Sequence, residues 1–123
     1  MKKKKMLFVD DDAEMREMVK EFFQSEGYLT TVAEDGNAAL NQITNFEFET
    51  VITDLRMKEM DGLTLLHELR TKDPTLPVIL ITAFGSIETA VEAIKEGATN
   101  FIPKPFKMQT LKAIVDKAIE TAA

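Results

Sequence analysis

Cysteine is absent from this 123-residue sequence, and histidine occurs once, as His67. The lack of cysteine excludes a disulfide framework, thiol chemistry and zinc–thiolate sites, and it is most compatible with a reducing compartment. With a single histidine, an imidazole metal site is not expected. No apolar run is long enough to span a bilayer, and the run after Lys2–Lys5 is too short for a signal peptide. We therefore expect a cytoplasmic protein with no membrane segment.

Positive charge is in deficit, because 15 Lys and Arg residues face 21 Asp and Glu residues, for a formal net charge of −6. An acidic surface disfavours attraction to a polyanion and suits a divalent cation better. Direct nucleic-acid binding is therefore not expected. Hydrophobic residues make up 45% of the chain and charged residues 29%, which are ordinary globular values. The length predicts a single domain over residues 1–123.

Short apolar runs rich in β-branched and aromatic residues recur along the chain and predict strands. The predicted strands are Met6–Val9, Leu29–Val32, Val51–Thr53, Val78–Ile81 and Phe101–Ile102. The segments between them have helical periodicity. Strands that are continuous apolar runs, separated by helices, are typical of a parallel sheet covered on both faces. The predicted fold class is therefore α/β, with a five-stranded parallel sheet between two helical layers.

The helices are predicted from apolar residues at helical spacing. In the first helix, which ends at Gly27, these are Met15, Met18, Val19, Phe22 and Phe23. The fourth helix is expected to have an N-cap at Ser86, to end at Gly97 and to bury Ile87, Ala90, Val91 and Ile94. The second and third helices follow Asp35 and Asp61, and with the last helix they are expected to bury Ala39, Leu40, Ile43, Leu65, Leu66, Leu69, Met108, Leu111, Ile114, Val115, Ala118 and Ile119.

Polar side chains follow the predicted strands at the edge where ligands bind in open parallel sheets. They are Asp10, Asp11 and Asp12 after the first strand, Asp54 after the third, Thr82 after the fourth and Lys104 after the fifth. Crowded carboxylates repel one another, and a hard divalent ion relieves that repulsion. Mg2+ fits best, because it typically takes one or two carboxylates together with a phosphate oxygen. Once the metal and the lysine neutralise phosphoryl oxygens, attack by a carboxylate becomes feasible. We therefore predict that Asp54 accepts a phosphoryl group.

Several segments together resemble the signature of response-regulator receiver domains of two-component signalling, in the same order and at familiar spacing. They are Val9–Asp12, Thr53–Met57, Met60–Leu63, Ile81–Ala83 and Lys104–Phe106. The resemblance covers essentially the whole chain. Because of Ala83–Ala90 and Gly97–Ala98, the sequence is most similar to receivers of sigma-54-dependent transcriptional activators. This resemblance implies a flavodoxin-like sheet with the strand order 2-1-3-4-5.

The resemblance also implies roles for the residues at the sheet edge. Asp54 would take the phosphoryl group from a sensor histidine kinase. Asp11, Asp54 and the backbone carbonyl of Arg56 would bind Mg2+ directly, with Asp10 as the other member of the acidic pair. Lys104 would contact the phosphoryl group and Asp54. The peptide bond between Lys104 and Pro105 would be cis, as X-Pro bonds permit.

A phosphorylation switch is implied in the same way. Thr82 would move on phosphorylation, and the aromatic ring of Phe101 would turn with it. The face made by the fourth helix, the fifth strand and the fifth helix would then control an output domain or a downstream protein, and the last two helices would form the contact of a homodimer. The domain would catalyse only its own phosphorylation and dephosphorylation.

Two other functions compete with this interpretation. Asp10 and Asp12 form an Asp-x-Asp motif after the first strand, which resembles phosphohydrolases of the haloacid dehalogenase family, although Asp12 is better explained as the N-cap of the first helix. A docking module that no longer uses phosphate is the other alternative. Its weakness is that clustered acids cost stability when nothing uses them. One departure from the receiver pattern is Lys58, which stands where the family usually has proline and is expected to loosen the loop that holds Arg56.

Overall fold

Strands and helices alternate strictly along the chain in a computed structural model that describes residues 3–82 and 87–122. The strands are β1 (Lys5–Val9), β2 (Leu29–Ala33), β3 (Thr50–Asp54), β4 (Val78–Thr82) and β5 (Asn100–Pro103). The helices are α1 (Ala13–Ser25), α2 (Gly36–Asn45), α3 (Gly62–Lys72), α4 (Ile87–Lys95) and α5 (Met108–Ala122). Every strand and helix predicted from the sequence is therefore present.

The strands form a parallel sheet in the order β2-β1-β3-β4-β5. All five residues of β3 and of β4 are buried, as expected for inner strands that have helices on both sides. The predicted α/β class and the predicted strand order are both confirmed. Within the described ranges, no helix combines the length and the apolar character needed to cross a membrane.

The core has two halves, one on each face of the sheet, because successive strand residues point in opposite directions. One half contains Leu7, Val9 and Val51 and is covered by apolar side chains of α2, α3 and α4. The other half contains Phe8 and Ile52 and is covered by α1 and α5. The alternation fixes the register of the central strands, since a shift by one residue would exchange the two faces.

Helix α4 packs through alanines, not through the large side chains that its periodicity predicted. Ala90 and Ala93 are buried, whereas Val91 is 48% exposed and Ile94 is 43% exposed. The prediction was wrong for Val91 and Ile94, because the two small residues let the helix lie close to the sheet and turn its larger side chains toward solvent. The predicted N-cap Ser86 and the side chain of Ile87 lie outside the described residues.

Helix α1 gives a second correction. Met18 was predicted on the buried stripe, yet it is 49% exposed, and Val19 and Phe23 are the fully buried residues of this helix. Met18 lies at the margin of the apolar stripe, where a flexible thioether side chain is tolerated in solvent. The predicted end at Gly27 is confirmed, because its φ of 95° is a left-handed conformation that glycine adopts without strain.

Candidate functional site

The carboxyl ends of the two central strands bring two aspartates into the interior. Asp10 directly follows β1, and Asp54 is the last residue of the adjacent strand β3. Asp10 is fully buried and Asp54 is only 7% exposed. A main-chain hydrogen bond of 3.1 Å from the Asp10 N–H to the carbonyl of Ala33 keeps Asp10 at the sheet edge. Strand pairing therefore places these two carboxylates side by side at the edge.

Asp10, Asp11 and Asp54 form a cluster that could hold a metal ion. Each offers one carboxylate oxygen, and these oxygens all lie within 4.8 Å of one another. Burial raises the pKa of Asp10, and the neighbouring charges of Asp54 and Asp11 raise it further, against the hydrogen bond from the Asp12 N–H and the charge of Lys104. The Oδ2 atom of Asp10 is buried and has no hydrogen-bond partner among the described residues. An unpaired buried oxygen beside two further carboxylates suits a hard cation such as Mg2+.

Lys104 brings a positive charge to the same cluster. Its Nζ lies 3.2 Å from Asp54 Oδ2 and 3.9 Å from Asp10 Oδ2. The position of Lys104 is set by the sheet, because its main-chain N–H donates to the carbonyl of Thr82 at the end of β4, with a distance of 2.8 Å. The peptide bond between Lys104 and Pro105 is cis. An ammonium group at this place compensates part of the negative charge of the two carboxylates.

The loop between β3 and α3 turns back tightly after Asp54. The N–H of Leu55 donates to the carbonyl of Ile81 over 2.9 Å, and the N–H of Gly62 donates to the carbonyl of Leu55 over 2.8 Å. A Cβ atom at Gly62 would lie 2.6 Å from the carbonyl oxygen of Asp54, so only glycine permits this approach. Arg56 lies in this loop with an exposed side chain. Its backbone carbonyl is therefore the group that could contribute to a metal site.

Asp12 lies outside the acidic cluster. Its side chain accepts hydrogen bonds from the N–H groups of Glu14 and Met15, so it caps α1 as predicted. The Asp12 carboxylate thus has a structural role that explains its position. This removes the second acid of the Asp-x-Asp motif on which the phosphohydrolase alternative depended.

Thr82 and Phe101 lie on neighbouring strands. Thr82 is the last residue of β4 and is only 3% exposed. Phe101 pairs with Leu80 across β4 and β5, and its half-buried ring packs against the core half that α2, α3 and α4 cover. The structure therefore places Thr82 at the edge where the acids lie and Phe101 two residues deeper in the sheet.

Two contacts at the site were not predicted from the sequence. Arg16 of α1 donates from Nη1 to the main-chain carbonyl of Asp10 over 2.8 Å. The N–H of Lys58 donates to Asp11 Oδ2 over 3.3 Å. The sequence held a signal for the Arg16 contact. Arg16 lies one helical turn after the predicted N-cap Asp12, and the helix starts beside the end of the first strand. The Lys58 contact involves only the backbone, so residue type gave no direct signal for it.

Comparison with known proteins gives a consistent result. The family described as response regulator receiver domain matches residues 6–116. The transcriptional regulatory protein ZraR of Escherichia coli K12 is 39% identical over 114 residues, which cover 93% of this chain and 26% of that protein. The regulatory protein AtoC of the same organism is 39% identical over 116 residues, covering 94% of this chain and 25% of that protein. These relatives confirm the predicted similarity to sigma-54-dependent activators.

A solved structure agrees over the whole fold. The receiver domain of NtrX from Brucella abortus is 40% identical, covers 94% of this chain and 98% of that chain, and superposes with a TM-score of 0.89. The chain spans about a quarter of the length of the curated relatives it matches. Similarity therefore extends to one module of those proteins and not to their remaining parts.

Proposed function

Because the chain belongs to the response regulator receiver domain family, we propose that it accepts a phosphoryl group from a sensor histidine kinase on Asp54 in a Mg2+-dependent reaction. The observation that carries this proposal is the position of Lys104 Nζ, 3.2 Å from Asp54 Oδ2, beside two further carboxylates. This combination provides a nucleophile, a positive charge for phosphoryl oxygens and a set of metal ligands. We include the whole of residues 1–123 in the proposed receiver.

The residues at the site fit Mg2+, as the orphaned Asp10 Oδ2 and the three clustered carboxylates indicate. Asp11, Asp54 and the backbone carbonyl of Arg56 would hold the ion, and Asp10 would support it as the second acid of the pair. When bound, the ion neutralises charge on the carboxylates and on phosphoryl oxygens. Asp54 then supplies the oxygen that bonds to phosphorus, while the bond from phosphorus to the kinase histidine nitrogen breaks. Lys104 binds a phosphoryl oxygen and keeps Asp54 oriented.

The proposed output is a change at the face made by α4, β5 and α5. Thr82 would approach the phosphoryl group, and Phe101 would rotate toward the space that this movement leaves. The exposed Val91 and Ile94 of α4 give this face apolar surface for an output domain or a partner protein. A homodimer through the same face is part of the proposal, and binding of nucleic acid by this module is not. The module would act in the cytoplasm on itself alone, without turnover of an external substrate.

Phosphorylation can be tested with a small acyl-phosphate donor, Mg2+ and intact-protein mass spectrometry. The wild type should gain one phosphoryl group, and Asp54→Asn should gain none, because the amide is not a nucleophile for phosphorus. Asp12→Asn is the matched control, since that acid caps α1 and should leave the mass gain unchanged. A phosphoryl group found on Asp10, or no mass gain on the wild type, would contradict the proposal.

The switch is tested separately with beryllofluoride and Mg2+, which mimic the phosphorylated aspartate. Amide chemical shifts of α4, β5 and α5 should change in the wild type and stay fixed in Asp54→Asn. A partner that is bound and regulated equally by the wild type and by Asp54→Asn would instead indicate a docking module that does not use phosphate.

A further inference from the structure

Lys58 touches the proposed metal site through its backbone. Its N–H lies 3.3 Å from Asp11 Oδ2, across a sequence separation of 47 residues. Receiver domains usually have proline at this place, and proline has no N–H to donate. The loss of proline was expected to loosen the loop between β3 and α3. The structure shows that the residue which replaces it makes a hydrogen bond that proline cannot make.

We propose that the main-chain N–H of Lys58 is a positioning group that orients the Asp11 carboxylate for cation binding. This inference rests on the proposed function, since it concerns the Mg2+ site of that proposal. Lys58 would act only by orienting Asp11 and would not contact the reacting atoms.

Asp11 is the acid of the cluster that needs such a restraint. Asp10 and Asp54 are buried, whereas Asp11 is exposed. Among the described residues, the hydrogen bond from Lys58 is the contact that holds the Asp11 side chain. An exposed carboxylate loses conformational freedom when it binds a cation, and a contact that orders it beforehand reduces this cost. A carboxylate has two oxygens with several lone pairs, so accepting one N–H leaves it able to bind a metal.

The side chain of Lys58 has the opposite effect. Lys58 lines a shallow cavity of about 310 Å³ together with Asp11, Glu34, Asp35 and Glu59. Its ammonium charge reduces the negative potential of this cavity, which opposes the approach of a divalent cation and is screened by salt. The backbone and the side chain of one residue therefore act in opposite directions, and two substitutions separate them.

Lys58→Ala removes the charge and keeps the N–H, whereas Lys58→Pro removes both. The dissociation constant for Mg2+ should be measured on the unphosphorylated full chain by titrating MgCl2 and following backbone amide shifts, because the chain has no tryptophan to report binding. Lys58→Ala should bind Mg2+ about twofold more tightly than wild type at low salt, with the difference closing as salt is added. Lys58→Pro should bind about two- to fivefold more weakly than Lys58→Ala, as one exposed hydrogen bond predicts. Equal or tighter binding by Lys58→Pro would overturn the proposal.

A second measurement avoids the backbone change that proline introduces. The comparison is made without metal between Lys58→Ala and the double variant that also has Asp11→Ala. The amide proton resonance of residue 58 should lie further upfield in the double variant, because the hydrogen-bond acceptor is lost. The amide of Glu59 in the same loop serves as the control and should move less. If the amide of residue 58 does not respond to Asp11→Ala, no hydrogen bond exists and the inference fails.

These results are distinct from a failure of phosphorylation. A chain that gains no phosphoryl group on Asp54 still yields both the Mg2+ affinities and the amide shifts. The proposed function then fails by mass spectrometry, while the role of Lys58 is decided by the comparison of alanine with proline and by the Asp11-dependent shift.

Discussion

The two edges of the sheet differ in how fully their charged side chains are hydrogen-bonded within the protein. At the edge where the strands begin, Arg70 of α3 donates to the carbonyls of Gly97, Asp73 and Leu76 over 2.9, 3.2 and 2.6 Å. At the edge where the strands end, Asp10 is fully buried and its Oδ2 atom has no partner within the described ranges. The charged group at the amino edge is thus hydrogen-bonded within the protein, whereas the carboxylate at the carboxyl edge keeps one oxygen without a hydrogen bond among the described residues.

The difference has a physical cause. A buried charge costs free energy unless it is paired and hydrogen-bonded, so a protein that keeps an unpaired one at rest is less stable than it could be. Arg70 meets this requirement by donating to main-chain carbonyls of residues that follow α3 and α4. Within the described part of the chain, the hydroxyl of Thr30 near the start of β2 also has no hydrogen-bond partner, but a neutral hydroxyl costs far less than a carboxylate. A buried carboxylate oxygen that has a cation 3.9 Å away but accepts no hydrogen bond among the described residues therefore supports the proposal that a metal ion binds at this edge.

Arg70→Met should have the largest effect on stability. The substitution keeps an apolar stem over Gly97 but leaves the carbonyls of Gly97 and Leu76 without their charged donor, at a cost of about 2–3 kcal/mol in the free energy of unfolding. Urea unfolding measures this value. Mg2+ affinity should stay unchanged, because Arg70 lies at the opposite edge from the acids.

The matched control for Arg70→Met is Lys72→Met. Lys72 is also a basic residue in the last turn of α3, but it is exposed. Its replacement should change the free energy of unfolding by less than about 0.5 kcal/mol. Equal losses for the two variants would mean that the three carbonyl contacts of Arg70 do not stabilise the fold.

Asp10→Asn should act in the opposite direction at the other edge. Without metal, the neutral amide removes a buried charge that is repelled by Asp54 and Asp11, so the variant should be about 1–2 kcal/mol more stable than wild type at neutral pH. Saturating Mg2+ should reverse the order, since the wild type binds the ion more tightly and gains stability by mass action. Urea unfolding in chelator and in MgCl2 tests both statements. A variant less stable than wild type in chelator would show that the Asp10 carboxylate is already well paired.

The advantage of Asp10→Asn should also depend on pH. Because the pKa of Asp10 is raised in the folded state, the folded protein holds this proton more firmly than the unfolded chain does. The contribution of Asp10 to wild-type stability therefore falls as the pH rises from about 4, the ordinary carboxylate pKa, through the raised value. The difference between variant and wild type should be small near about pH 4 and should grow to a plateau above the folded pKa. A difference independent of pH would mean that it does not come from the charge of Asp10.

The site at the carboxyl edge could be predicted from the sequence because its residues directly follow apolar runs. Once Val51–Thr53 and Phe101–Ile102 are recognised as parallel strands, Asp54 and Lys104 must come out at the same edge. In the structure, Lys104 Nζ and Asp54 Oδ2 lie 3.2 Å apart at that edge. No comparable signal exists for the amino edge. Arg70 and Lys72 look alike in sequence, and only the packing of α3 against the end of α4 shows that Arg70 has three carbonyls to bind.

Helix α4 shows a different limit of prediction. Hydrophobic periodicity predicted that Ala90, Val91 and Ile94 are buried, but only Ala90 is, and the second buried residue is Ala93. A stripe of small residues and a stripe of large residues are both apolar. Which of the two faces the sheet depends on how closely the helix can approach the strands. That distance is a tertiary property, so the sequence alone placed the helix correctly but not its rotation.

Tyr28→Phe should have a smaller effect than either charge substitution. Tyr28 lies next to the start of β2 and is 5% exposed, and its hydroxyl donates to the Asp116 carboxylate of α5. Losing this hydrogen bond should cost about 1 kcal/mol in the free energy of unfolding. Burial raises the pKa of Tyr28, and the hydrogen bond with Asp116 raises it further. The contribution of Tyr28 to stability should therefore fall as the pH rises past about 10, the ordinary tyrosine pKa, and this part of the pH dependence should be absent in Tyr28→Phe.

An absorbance titration tests the same contact directly, because Tyr28 is the single tyrosine and there is no tryptophan. Asp116→Asn should lower the pKa of Tyr28 toward its ordinary value. A phenol that titrates identically in wild type and Asp116→Asn would show that burial alone accounts for the shift.

Lys112→Met should have the smallest effect of the series. Lys112 Nζ lies 2.7 Å from Asp116 Oδ2, one turn apart on α5, and this hydrogen bond raises the pKa of Lys112. Solvent screens the pair, so the loss of stability should fall below that of Tyr28→Phe and should vanish at high salt. Because the raised pKa favours the charged lysine in the folded state, the contribution is present below about pH 10 and is lost as the pH rises through the folded value. Urea unfolding at low and high salt measures it. A loss as large as that of Arg70→Met would mean that a solvent-screened ion pair within one helix stabilises this fold as much as a half-buried guanidinium with three carbonyl partners. The number of hydrogen bonds that a charged side chain makes would then not determine its contribution to stability.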